Sequence, residues 1–197
     1  MFSVTDEWNQ DQKNLKQLFS GAGTLAAGID LCKTMHTKLH QFSIQSIFSR
    51  LVDAMPEACF KYRIPAKFET IVWNIWHITR IEDAVAAILI AKSRQIFDQA
   101  WMDKLGTSFT ETGNSLTGEE AALLTKQINI PALLEYRKAV GKNTQAILEN
   151  LKISDLHRKT TIGLLLMPIT RHQIVHLNDG FKLKEKFRKL TQTSAPA

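Results

Sequence analysis

Four long stretches of this chain space their apolar residues at intervals of three and four, and nowhere does the sequence alternate strictly. That spacing is the period of a helix with one buried face, and it leaves no place for a sheet. Leu25, Ile29, Cys32, His36 and Leu39 set a helix over about 24–42. Trp73, His77, Ile81, Ala84, Ile88 and Ala91 set a second, opening at Pro65 and running to about 98. Pro131 opens a third, to about 152, through Leu134, Tyr136 and Ile147, with Gly141 weakening its middle. Ile162, Leu165, Ile169, His172, His176, Leu183 and Phe187 set the fourth, with Pro168 a kink or its true start. A weaker stripe, Trp8, Leu15, Leu18 and Phe19, precedes them and is interrupted by GAG at 21–23.

The fold expected is all-α, a four-helix bundle with short extra helices in its two long connections, 43–65 and 99–130. One extra helix is placed near 45–55. In the other connection ETGNSLTGEE is turn chemistry, and Thr117 with Glu120 makes a capping box for a helix to about 128. At 197 residues one domain is expected, with its core at 22–188 and a flexible tail at 189–197.

Composition removes several function classes. Cys32 and Cys59 are the only cysteines, which excludes a disulfide framework or a cysteine zinc finger. The opening MFSVTDEWNQDQ lacks the order of a signal peptide, and the apolar run AVAAILIA is too short to span a bilayer. A cytoplasmic protein without a membrane partner is the expectation. The net charge is +6, and KLKEKFRK at 182–189 carries +4 of it. Without interleaved aromatics that cluster reads as a solvated helix end rather than a nucleic-acid surface.

The stretch WNIWHITRIEDA puts His77 on an apolar face, where a lone histidine is most simply a hydrogen-bonded core residue. HQIVH at 172–176 changes that reading. Its two imidazoles lie about 40° apart around one helix and about 6 Å apart along it, so both can reach one ion. With His77 from another helix they make a three-histidine set able to hold a divalent metal, and to leave coordination positions open. Position 173 is glutamine, so the HExxH chemistry of zinc peptidases is absent. His36 and His40 form a second HxxxH, read as outer support or structure, and His157 as solvated. Arg80 and Asp179 are the catalytic candidates: Arg80 to pair with a substrate carboxylate or simply with Glu82 or Asp83, Asp179 to orient His176. Asn74 is a second candidate for orienting a ring.

The segments TIVWNIWHITRIEDAVAAILIA, ETGNSL, IPALLEYRKAVGKNT and RHQIVHLND, in that order, resemble a branch of the DinB/YfiT-like superfamily over about residues 24–185. The resemblance implies a bacterial four-helix bundle of up-down-down-up topology, often a homodimer. It implies a divalent metal, with zinc or nickel first and iron or manganese after, held by His77, His172 and His176. It further implies a small-molecule substrate and transfer of a low-molecular-weight thiol such as bacillithiol. The alternatives are a metal-dependent hydrolase or a non-catalytic metal- or ligand-binding bundle. After His176 the chain reads Leu-Asn-Asp, where many members have Arg-Gly-Gln.

Overall fold

The computed structural model describes residues 5–21, 24–40, 44–65, 67–157 and 159–193. The expectation for His157 falls on a side chain outside the described set, as do 22–23 of the GAG interruption and residues 194–197 of the expected tail. Every regular element among the described residues is helical. Helix α1 is Thr5–Ser20 and α2 Leu25–Leu39; the short α3, Ile47–Val52, and α4, Glu57–Lys61, follow. Helix α5, Ile71–Asp83, continues as a π-helical segment, Ala84–Ile90. Then come α6 (Gln99–Leu105), α7 (Gly118–Gln127), α8 (Ile130–Glu149) and a short 3-10 turn, Ile153–His157. Helix α9, Lys159–Leu164, passes through a second π-helical segment, Leu165–Arg171, into α10, His172–Thr193.

The chain folds as a helical bundle. Around it the order is α2, α8, α5 and α10, with the second π segment closing back onto α2. Helices α2 and α5 are therefore opposite each other, and the connection carrying α3 and α4 crosses the bundle. Helix α1 lies along α2 and buries Trp8, Leu15 and Phe19. The centre is filled by Ile75, Trp76, Leu133, Tyr136 and Leu165, all fully buried.

The capping box at Thr117 and Glu120 forms as its spacing requires. Helix α8 opens with the Asn129 side chain accepting from Ala132 N and Pro131 in the first turn. The long second stripe is corrected at both ends. It begins at Ile71 rather than Pro65 because Thr70 caps it, accepting from Trp73 N at 3.0 Å. It stops at Ile90 rather than near 98 because Asp83 accepts from Ile96 N and Phe97 N, both at 2.9 Å, folding the chain back.

The stripe also shifts within the helix. A π turn takes an extra residue and rotates the succeeding positions to another face. Val85, Ala86 and Ala87 become the buried positions, whereas Ile88, expected inward, is 46% exposed. In the last long helix Pro168 lies inside the π segment rather than at a helix start.

The basic stretch is partly spent within the chain. Lys184 caps α3 by donating to the Leu51 and Asp53 carbonyls, Lys182 pairs with Asp179, and Arg188 and Lys189 pair with Glu185. Among the described residues no helix is long and apolar enough to cross a membrane.

Candidate metal centre

His77 comes from the middle of α5, His172 and His176 from the first turns of α10, and these two helices pack against each other. The three rings form a nearly equilateral triangle, with centroids 4.9 Å apart for His77–His172, 4.6 Å for His77–His176 and 4.6 Å for His172–His176. His77 is 2% exposed, while the two rings on α10 are only partly covered. The triangle is closed from the α5 side and reachable from the α10 side.

The outer ring nitrogens decide which inner ones can bind. His77 Nδ1 donates to the Thr112 carbonyl at 2.9 Å, and a carbonyl can only accept. His176 Nδ1 lies 2.7 Å from Asn74 Oδ1. The orientation of that amide is fixed from behind, since Asn74 Nδ2 donates to Thr70 O at 2.8 Å. Both Nδ1 atoms thus carry the proton, and both Nε2 atoms keep a lone pair.

His77 Nε2 and His172 Nε2 stand 3.2 Å apart. Two nitrogens sharing one ion at ~2.0–2.1 Å are about 2.9–3.4 Å apart, so the donor set fits a divalent metal. His172 Nδ1, by contrast, is buried with no protein partner among the described residues.

Trp73 stacks on the His77 ring at 4.7 Å and 10°. The loop that supplies the Thr112 carbonyl then passes through Gly113, whose φ of 97° is left-handed. A Cβ there would come within 3.3 Å of Trp73 Nε1, so the loop reaches the site only with glycine.

Burial favours the neutral form of all three rings. It lowers His77 against the opposing pull of the Thr112 bond. Burial and then His77 lower His172 to about 4. Burial, His77 and His172 lower His176 to about 3, with Asp179 acting the other way. The triangle consequently offers lone pairs rather than positive charge near neutral pH.

Asn74, three residues before His77 and expected to orient a ring, bonds that of His176 on the facing helix. Asp179 is engaged with Lys182 and reaches His176 as charge. Arg80 is 4% exposed and holds the 91–112 loop: it donates to Thr110 O at 2.9 Å and to Gln95 Oε1 at 3.2 Å, bonds Tyr136 Oη at 3.1 Å and lies over the Phe97 ring. Its ion pair is with Asp83, at 3.5 Å.

His36 and His40 gather on Glu82 instead. Both Nε2 atoms are 3.0–3.1 Å from its carboxylate, and all three residues are buried. These too are ligand types within reach of one ion. The place of a cation, however, is taken by the fully buried Arg137, which donates to Glu82 Oε2 at 2.9 Å and lies 3.3 Å from His40 Nε2. Glu82 and Arg137 cancel, and a divalent ion would leave two uncompensated charges in a dry interior. Burial lowers His40 to about 3, with Arg137 adding to the effect. Burial opposes ionisation of Glu82, but His40, Arg137 and the imidazole hydrogen bonds outweigh it and hold its carboxyl well below the ordinary range. This second cluster is a neutral hydrogen-bonded knot.

The Thr112 carbonyl, Glu82, Arg137, Gln173 and Gln145, whose Oε1 lies 2.8 Å from His36 Nδ1, are among the residues at these two clusters that spacing does not single out. A backbone acceptor has no sequence signature, and Gln173 stood out only as the absence of a glutamate. The sequence model of the DinB superfamily matches residues 44–178, a span that includes His77, His172 and His176. No curated protein matches the sequence.

Proposed function

This chain belongs to the DinB superfamily, and on that premise we propose that it is a metal-dependent enzyme whose divalent ion, zinc or nickel, is held by His77, His172 and His176. One observation carries the reading. Three imidazoles from two helices meet in a triangle, and the two whose outer nitrogens find acceptors have their inner nitrogens freed by those bonds.

The activity proposed is S-transfer from a low-molecular-weight thiol to a small electrophile. A divalent ion at the triangle would supply Lewis acidity, favouring the thiolate over the thiol near neutral pH. The thiol proton goes to solvent, a sulfur–carbon bond forms, and the bond to the leaving group breaks. The chain's own work is orientation and access. Thr112 and Asn74 fix two rings, Trp73 covers His77, and the partly exposed His172 and His176 leave the approach open.

A panel of bacillithiol, mycothiol and glutathione against a chromogenic haloarene, with zinc- or nickel-loaded protein, tests this. Turnover with one thiol that disappears in His77→Ala is the expected result. Equal rates in the two proteins would end the transferase reading. Ester hydrolysis without thiol would move the same site to the hydrolase alternative.

A further inference from the structure

Between the two histidines of α10 lies Gln173, a fully buried amide. Its Oε1 accepts from Arg137 Nη2 at 2.9 Å, and its Nε2 donates to Ile78 O at 3.3 Å and to Pro168 O at 3.1 Å. Ile78 directly follows His77, and Gln173 directly follows His172. Arg137 is in turn held by Glu82, on α5 again. The bonds close a ring, from Glu82 on α5 through Arg137 on α8 and Gln173 on α10 back to the α5 backbone beside His77.

We propose that Gln173 is a positioning residue for the histidine triangle: its side-chain amide clips the α5 backbone beside His77 to the α10 backbone beside His172 and fixes how the two helices face each other. This rests on the metal-site reading above. Rotating either helix by about 10° moves an imidazole tip by roughly 1 Å, the scale at which a site ceases to be preorganised. The His77–His172 nitrogen separation of 3.2 Å would then leave the range that suits a shared ion. The third bond, to Pro168 O, ties the π segment before His172 into the same clip. Within this ring Gln173 has both its amide oxygen and its amide nitrogen bonded, and such cross-helix bonds favour one arrangement of the elements they join.

Three variants test it, read by cobalt(II) dissociation constants in chelator competition and by the visible spectrum of bound cobalt, well below each apoprotein's unfolding temperature. Gln173→Met keeps the volume and removes all three bonds. Gln173→Glu keeps the acceptor for Arg137 and removes the donor to Ile78. Leu15→Ala, in the buried face of α1, lowers stability without touching the ring. The expected result is a loss of about 10–100-fold in affinity, with an altered spectrum, for both Gln173 variants, and wild-type values for Leu15→Ala. If Gln173→Met does not fold, Gln173→Glu alone decides. Affinity within twofold of wild type with an unchanged spectrum in the Gln173 variants would overturn the positioning role and leave the metal site standing. Wild-type protein that takes up no cobalt would instead overturn the metal reading, and this inference with it.

Discussion

Asn74 Oδ1 and His176 Nδ1 lie 2.7 Å apart across the interface between α5 and α10, 102 positions apart in sequence. Because Thr70 O occupies the Asn74 amide nitrogen, this contact sets the tautomer of His176 and points its Nε2 at the other two rings. Asn74→Leu is expected to weaken divalent-ion binding about 10–100-fold with little change in the amount of folded protein. Asn74→Asp, which keeps an acceptor and adds charge, should bind at least as tightly as wild type. Calorimetric titration with zinc or nickel reads both.

Acid should destabilise the metal-free protein from near neutrality downward. In the unfolded chain His172 takes up a proton around its ordinary value of 6.5, and in the folded protein only at about 4. Between those values the unfolded chain binds more protons, so this contribution is full above pH 6.5 and is lost as the pH falls towards 4. Glu82, depressed below 4.5, adds a loss of the same sign at lower pH. Urea midpoints at pH 8, 6 and 4.5 should fall in that order, with a shallower fall in His172→Asn. A midpoint that rises on acidification would contradict the neutral triangle.

The Glu82–Arg137 pair should be worth more intact than in half. Arg137→Met leaves a buried carboxylate without its cation, and a loss of about 3–5 kcal/mol is expected. Adding Glu82→Gln removes that charge as well, so the double variant should be more stable than Arg137→Met alone. Urea unfolding of the single and double variants checks the order.

Gly141 illustrates where sequence and structure part. In the sequence it weakens α8, and Gly141→Ala should help a helix by about 1 kcal/mol. In the fold, a Cβ at 141 would lie 2.1 Å from His40 Nδ1. The imidazole bound to Glu82 occupies the missing side chain's space. Gly141→Ala is therefore expected to destabilise by about 1–3 kcal/mol, measured by thermal unfolding. An increase in stability would show that the ring can move at no cost.

The helices were legible because burial on one face imposes a spacing that survives in the letters. So was the triangle, since HQIVH and His77 fall on stripes that must face inward. What spacing could not give was the π turns, which displace Ile88 to the surface, and the cross-chain bonds that depend on which helices adjoin. Arg137 looks like any surface cation until α8 is placed between α2 and α5. Arg80 illustrates the same blindness in reverse: one turn from His77 it looks available to a substrate, but the folded chain buries it against Thr110 O, Gln95 and Tyr136.

The central claim is one shared ion at the triangle and none at the Glu82 knot. Metal-free protein carrying no affinity tag should be titrated with cobalt(II) and the bound metal counted by elemental analysis after desalting, beside His77→Ala, His176→Ala and His40→Ala. The account predicts one tightly held ion per chain in wild type and in folded His40→Ala, and its loss in the two triangle variants. Two ions per chain, or an ion that survives removal of His77 and His176 but not of His40, would contradict it.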